Sequence, residues 1–142
     1  MGIVEIERAC RRFRASMDAC HRDLGDFFQT FPRGCCGDVA SLLAAYLKDQ
    51  GLGIYAQFSG VRENDGASHA WLERDELIVD ATADQFHDGG DRPMVTSDRG
   101  WYRQFGAGPD ILPDGDFRLD EGPNGARLMA AYSTLLRHLE GG

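Results

Sequence analysis

Apolar side chains recur every three or four residues along the first part of the chain. Starting at Ile3, they occupy positions 3, 6, 10, 13, 17, 20, 24 and 27, and this spacing places them on one stripe of a helix. The pattern predicts one long amphipathic helix that ends near Phe28. Cys10 and Cys20 both lie on the stripe, where cysteine packs as a small apolar residue.

A second helical pattern begins after the segment Phe31-Pro32-Arg33-Gly34. Residues 36, 40, 43 and 47 are apolar and have helical spacing, and Gly51 supplies a C-terminal stop. We therefore predict a helix from about Cys36 to Gln50. A final amphipathic helix is predicted to follow the segment Pro123-Asn124-Gly125.

The periodicity changes from helical to alternating between these last two helices. Residues 53–60, 67–74 and 76–82 read as strands separated by turn residues, and three such strands predict an antiparallel meander. Residues 87–123 are rich in Gly, Asp and Pro and contain an aromatic patch at 101, 102 and 105. The predicted fold class is α+β, with the helix at 36–50 packed on an antiparallel sheet and helices at both ends.

The length and charge of the chain narrow the classes of protein to consider. Its 142 residues suit a single domain, residues 1–142, with a core at about 31–86. The formal net charge is -8 and Lys and Arg form no basic patch, so nucleic acid is not an expected partner. No apolar run approaches about 20 residues and no signal-like core begins the chain, so we expect a cytoplasmic protein without a membrane partner.

The cysteine spacing indicates neither a disulfide framework nor a zinc site. The four cysteines stand at positions 10, 20, 35 and 36, which gives no Cys-x-x-Cys pair and no Cys/His pairing of the zinc type. We therefore expect no metal and no cofactor.

Cys36 has the position of an activated thiol, because it begins the second predicted helix. The free N–H groups and the dipole at a helix start favour the thiolate and lower the pKa of a cysteine there. Gly37 beside it leaves room for a substrate backbone, and the Cys36 amide can donate to a developing oxyanion. We predict that Cys36 is a nucleophile.

A base for this thiol is expected on a neighbouring strand. Of the four histidines, His69 alone falls on a predicted strand. A tight hairpin centred on Arg74-Asp75 makes residues whose numbers sum to 149 face each other, so that His69 directly opposes Asp80. The carboxylate can then orient the imidazole, which predicts a Cys36–His69–Asp80 triad.

These residues resemble the sequence pattern of transglutaminase-like proteins. The chain has Cys36-Gly37-Asp38-Val39-Ala40 at a helix start, His69-Ala70-Trp71 on a strand and Asp80-Ala81-Thr82 after it. The resemblance spans residues 34–86. It includes the spacings between the motifs and the flanking apolar residues in addition to the three triad residues. It implies a papain-like core and a thiolate–imidazolium mechanism through a thioester, with the three roles given above.

Other residues near the triad are candidates for alternative or supporting roles. Cys35 is an alternative nucleophile, and Gln29, six residues before it, then has the position of a papain-like oxyanion glutamine. We favour Cys36, because a thiol at the helix start is better activated than one just outside it. Asp84 is a second candidate for the residue that orients the base. The remaining predicted substrate or oxyanion contacts are Gly37, Trp71 and Gln85.

The expected function is cleavage of an amide or related acyl bond in a peptide, a protein or a small amide, as in a peptidase, isopeptidase or deamidase. Transfer of the acyl group to an amine is an alternative, but a chain this short has few residues to exclude water from the thioester, which favours hydrolysis. A non-catalytic binding module of the same fold is a second alternative. A metal enzyme using His69, Asp80 and Asp84 is a third, although one histidine with two carboxylates is a poor zinc set.

Overall fold

A computed structural model describes residues 2–90, 92–106 and 110–141. Within these ranges the chain is an α+β protein with three α-helices and one five-stranded antiparallel sheet. The helices are α1 (Ile3–Cys20), α2 (Cys36–Asp49) and α3 (Pro123–Gly141). The strands are β1 (Ala56–Val61), β2 (Ser68–Arg74), β3 (Leu77–Val79), β4 (Val95–Thr96) and β5 (Asp110–Leu112), in the order β4-β3-β2-β1-β5.

The first helix is shorter than its apolar stripe predicts. It ends at Cys20 rather than near Phe28, and two short 3-10 turns follow. Gly25 lies between these turns with a φ of 111°, a conformation that no α-helix contains. The stripe from Ile6 to Leu24 is nevertheless buried, and Phe28 replaces the exposed Phe27 in the core because the backbone changes direction at Gly25.

The second helix begins at Cys36 and ends as its sequence predicts. Gly51 has a φ of 74°, and the N–H groups of Gly51 and Leu52 donate to the carbonyls of Lys48 and Leu47. This pair of bonds is the Schellman arrangement, which satisfies the last carbonyls of a helix. The predicted final helix is present, but it begins at Pro123 and so includes the residues 123–125 that were expected to precede it.

The hairpin between β2 and β3 has a different register from the one predicted. Leu72 pairs with Val79 and Arg74 with Leu77, so the loop is Asp75-Glu76 and not Arg74-Asp75. Both loop residues have positive φ, 50° and 68°, which is the type I′ geometry that matches the twist of a two-residue hairpin. The prediction that His69 directly opposes Asp80 is therefore wrong.

The corrected register shifts each partner by two residues, so every side chain stays on its predicted face. Leu72 and Val79 face the main core, where α2 packs on the sheet. The opposite face carries a second, aromatic cluster that includes Trp71 and Ile78. Its cover comes from the irregular region 87–123, which also supplies β4 and β5.

The third strand is also shorter than the predicted 76–82, because the chain leaves β2 after Val79. The N–H of Asp80 donates to the carbonyl of Met94, on the side of β4. The β2–β3 ladder thus stops at the Leu72–Val79 pair, and the first part of β2 is left beside the start of α2. Along the described residues, no helix is long and apolar enough to span a membrane.

Candidate active site

Cys36 is the first residue of α2 and is partly exposed, whereas Cys35 before it is buried. Cys36, Ala70, Trp71 and Asp80 are among the residues that line a narrow gap between the start of α2 and the sheet, which has no room for a water molecule. The thiol thus lies where β3 has turned away from β2. Cys35 and Cys36, the two candidates for the nucleophile, are both at the helix start, but only Cys36 is exposed to solvent in part.

The two adjacent thiols also differ in acidity. Burial raises the pKa of the Cys36 thiol, but hydrogen bonding to His69 and the charge of His69 outweigh burial, so that its pKa lies below the ordinary value. Hydrogen bonds from the Ala70 backbone and the Gln85 side chain lower it further. Burial raises the pKa of Cys35 to about 12. Only Cys36 therefore has the environment of a nucleophilic thiolate.

His69 lies between this thiol and the carboxylate of Asp80. Its Nε2 is 2.6 Å from Asp80 Oδ2, and the two side chains are almost completely buried. Burial lowers the pKa of His69, but the charge and hydrogen bond of Asp80 raise it, and contact with Cys36 adds to this, giving a pKa of about 9. A raised pKa on the base and a lowered pKa on the thiol together favour a thiolate–imidazolium pair.

Asp80 reaches His69 along a diagonal of the ladder. In the observed register Val79 pairs with Leu72, and Asp80 comes directly after Val79. Asp80 is therefore on the same face of the sheet as His69, but it is not directly opposite His69. Its Oδ2 also accepts from the Tyr102 hydroxyl at 2.8 Å, and its Oδ1 accepts from the Thr82 N–H at 3.0 Å. These bonds satisfy the buried carboxylate and fix its orientation.

The imidazole of His69 is surrounded by aromatic rings. Ring centroids lie 5.2–6.4 Å from that of His69, and the rings belong to Trp71, Phe86, Trp101, Tyr102 and Phe105. They exclude water, and their faces favour a cation. Three of these rings come from the aromatic patch at residues 101–105. The sequence did not predict that this patch lies at the site, because the apolar residues of the region have no regular spacing.

Gln85 is placed in the site beside both the base and the thiol. Its Nε2 lies 3.1 Å from His69 Nδ1, the ring nitrogen opposite the Asp80 contact, and the nearby Gln85 side chain helps to lower the pKa of Cys36. When His69 is neutral, Nδ1 accepts from this amide while Nε2–H donates to Asp80. Gln85 therefore helps to hold the ring in one orientation.

The side chains of Gln29 and Trp71 have hydrogen-bond partners other than Cys36 and His69. Gln29 donates from Nε2 to the carbonyls of Arg22 and Gly25, so both of its N–H groups are used within its own turn. The indole N–H of Trp71 donates to Glu73 at 2.8 Å. Gly37 lies beside Cys36, where an added Cβ would be in ordinary van der Waals contact with the Gln57 amide nitrogen, 3.8 Å away.

Asp84 does not face His69. Its two carboxylate oxygens accept from the guanidinium of Arg14 on α1, each at 2.8 Å. Asp84 is thus part of an ion pair and is separate from the Asp80 carboxylate. Among the described residues, no three His, Cys, Asp or Glu side chains are grouped in a way that could hold a metal ion.

An oxyanion can form at the start of α2. The N-cap residue Cys35 makes no capping hydrogen bond from its side chain among the described contacts, so N–H groups of the first turn remain available to an anion. A thiol of lowered pKa, an imidazole of raised pKa and a helix start therefore lie close together, a combination suited to acyl chemistry. Comparison of the chain with family models, curated proteins and solved structures found no match.

Proposed function

We propose that this protein is a cysteine-dependent enzyme that cleaves an amide or related acyl bond through a thioester. Cys36 is the nucleophile, His69 is the acid and base, and Asp80 orients His69. The observation that carries the proposal is the buried hydrogen bond of His69 to Asp80, with the partly exposed Cys36 at the start of α2 near enough for His69 and Cys36 to shift the pKa of each other. A histidine placed only for packing has no need of both partners.

The reaction that this geometry supports has two halves. The Cys36 thiolate attacks the carbonyl carbon, and the carbonyl electron pair moves to an oxyanion next to the N–H groups of the α2 start. The carbon–nitrogen bond then breaks, and His69 gives its proton to the leaving amine, which leaves a Cys36 thioester. Water attacks the thioester as it loses a proton to His69, and the carbon–sulfur bond then breaks. The carboxylic acid product leaves, and the Cys36 thiolate and the protonated His69 are restored.

Asp80 stabilises the charged form of His69 throughout this cycle. The imidazolium pairs with a carboxylate that is already satisfied by Tyr102 and Thr82, so little reorganisation accompanies proton transfer. The aromatic rings around His69 keep water from competing for the Asp80 contact. The chain thus has the groups that a triad mechanism requires, in the order Cys, His, Asp.

A papain-like core of the transglutaminase-like kind is the finer fold that we propose. It is supported by a cysteine at the start of a helix packed on an antiparallel sheet, a His-Ala-Trp strand and an aspartate at the end of the next strand. We propose hydrolysis over amine transfer because Cys36 is partly exposed and water can reach its thioester. The proposed substrate is a peptide, a protein or a small amide.

The test is to trap the acyl enzyme. Purified protein is mixed with p-nitrophenyl acetate, quenched in acid and digested, and acetylated peptides are located by mass spectrometry. We expect acetylation of Cys36 that hydroxylamine removes, and none in Cys36→Ala protein. Matched acetylation in the Cys36→Ala variant, or a label confined to other residues, would contradict the proposal.

A further inference from the structure

Arg14 projects from α1 to the segment that carries two of the site residues. Its Nη1 donates to the Ala81 carbonyl at 2.7 Å and to Asp84 Oδ1 at 2.8 Å, and its Nη2 donates to Asp84 Oδ2 at 2.8 Å. A bidentate guanidinium–carboxylate pair is geometrically specific as well as strong. Arg14 therefore holds both ends of the turn 81–84.

This turn connects Asp80 to Gln85, which contact opposite nitrogens of His69. Within it, the Thr82 N–H donates to Asp80 and the Gln85 N–H donates to the Thr82 carbonyl. A displacement of the turn would move both partners of the imidazole at once. The guanidinium that fixes the turn thus controls the orientation of the base without touching it.

Arg14 also contacts the segment that leads into α2. Its guanidinium carbon lies 4.7 Å from the centroid of the Phe31 ring, and Phe31 is buried five positions before Cys36. Its Nε donates to Asp18 on the same helix at 3.0 Å, which orients the side chain. The side chain is 19% exposed, so these contacts are partly shielded from screening by salt.

We propose that Arg14 is a positioning residue of the site: it joins the Asp80–Gln85 turn to the segment before Cys36 and so keeps His69 and the thiol in register. This inference rests on the proposed function of Cys36 and His69. Because its guanidinium donates four hydrogen bonds in a fixed planar geometry, lysine cannot replace it. Asp84 is its partner in this role, which accounts for a carboxylate next to the site that does not touch His69.

The test compares Arg14→Lys and Asp84→Asn with the matched control Arg11→Lys. Arg11 lies on the same helix, is largely exposed and makes a long 3.8 Å contact with Glu7. The rate of iodoacetamide labelling of Cys36 is measured against pH by mass spectrometry, and thermal unfolding is recorded for each variant. Asp84→Asn removes the charge but keeps an oxygen acceptor, so it decides the matter if Arg14→Lys does not fold.

We expect both site variants to raise the apparent pKa of Cys36 labelling by about half a unit to one unit, which slows labelling at pH 6 roughly three- to tenfold. The control should stay within about twofold of the wild type. An unchanged pH profile in both site variants, even with a lower melting temperature, overturns the positioning role. If the wild-type profile itself is that of an ordinary thiol, the proposed function fails, and the role of Arg14 fails with it.

Discussion

Replacing Asp80 by asparagine tests the electrostatic link between the carboxylate and His69. Asparagine keeps the shape of the side chain and an oxygen that can accept from Tyr102 or Thr82, but it carries no charge. The pKa of His69 is about 9, against 6.5 for the free side chain, and this difference corresponds to about 3 kcal/mol at about 1.4 kcal/mol per tenfold. Burial lowers the pKa of His69, so the stabilisation of the imidazolium by Asp80 and Cys36 together is larger than about 3 kcal/mol.

The contribution of Asp80 is measured best without the thiol, because two coupled groups titrate as a pair. In a Cys36→Ala background, we expect His69 to keep a pKa above 6.5. Adding Asp80→Asn should bring it below 6.5, since burial then acts alone. A site-resolved NMR titration of the imidazole reports both values.

A matched control comes from Asp98→Asn, which changes a carboxylate that is 72% exposed. It should leave the titration of His69 unchanged. If Asp80→Asn protein is folded and its His69 titrates within half a pH unit of the Cys36→Ala parent, the aspartate does not stabilise the imidazolium. The role given to Asp80 would then be wrong.

Three further predictions follow from the same contacts. Cys36→Ala should abolish turnover, whereas Cys35→Ala should keep most of it, because Cys35 is buried and its pKa is raised to about 12; the reverse result moves the nucleophile to Cys35. The pH profile of kcat/KM should fall above about pH 9 as His69 loses its proton, and a profile flat to pH 10 would exclude His69 as the acid. Glu76→Gly should stabilise the fold by about 0.5–1 kcal/mol, since Glu76 is exposed with a φ of 68°, a conformation that glycine adopts without the steric cost of a Cβ; a lower melting temperature would refute this.

The helices and their faces could be predicted because their signals are local. The stripe of α1, the start of α2 at Cys36 and the Gly51 stop were confirmed. The prediction for the end of α1 was wrong because the apolar spacing continues past Cys20 while the backbone does not. The register of the hairpin was also wrong, since Asp75-Glu76 lacks the glycine that normally indicates positive φ.

The structure brings His69 and Asp80 together in spite of that error, because a shift of two residues keeps them on one face of the sheet. The cover over His69 could not be predicted. Tyr102 reaches Asp80 from a region without periodicity, and its position depends on long-range packing. The hydrogen bonds of Gln29 to nearby carbonyls could not be predicted either, because its role was inferred from its spacing to Cys35 alone.

The proposed mechanism requires Cys36 to be a thiolate at a pH where an ordinary cysteine is a thiol. The most direct measurement is the ultraviolet absorbance of thiolate in the wild type minus that in Cys36→Ala protein, followed from acid to alkaline pH. We expect this difference signal to be present well below the pKa of about 8.5 of a free thiol, and we expect His69→Ala to remove it from that range. A signal that appears only near pH 8.5 or above, or one that is unchanged by His69→Ala, would contradict the thiolate–imidazolium pair.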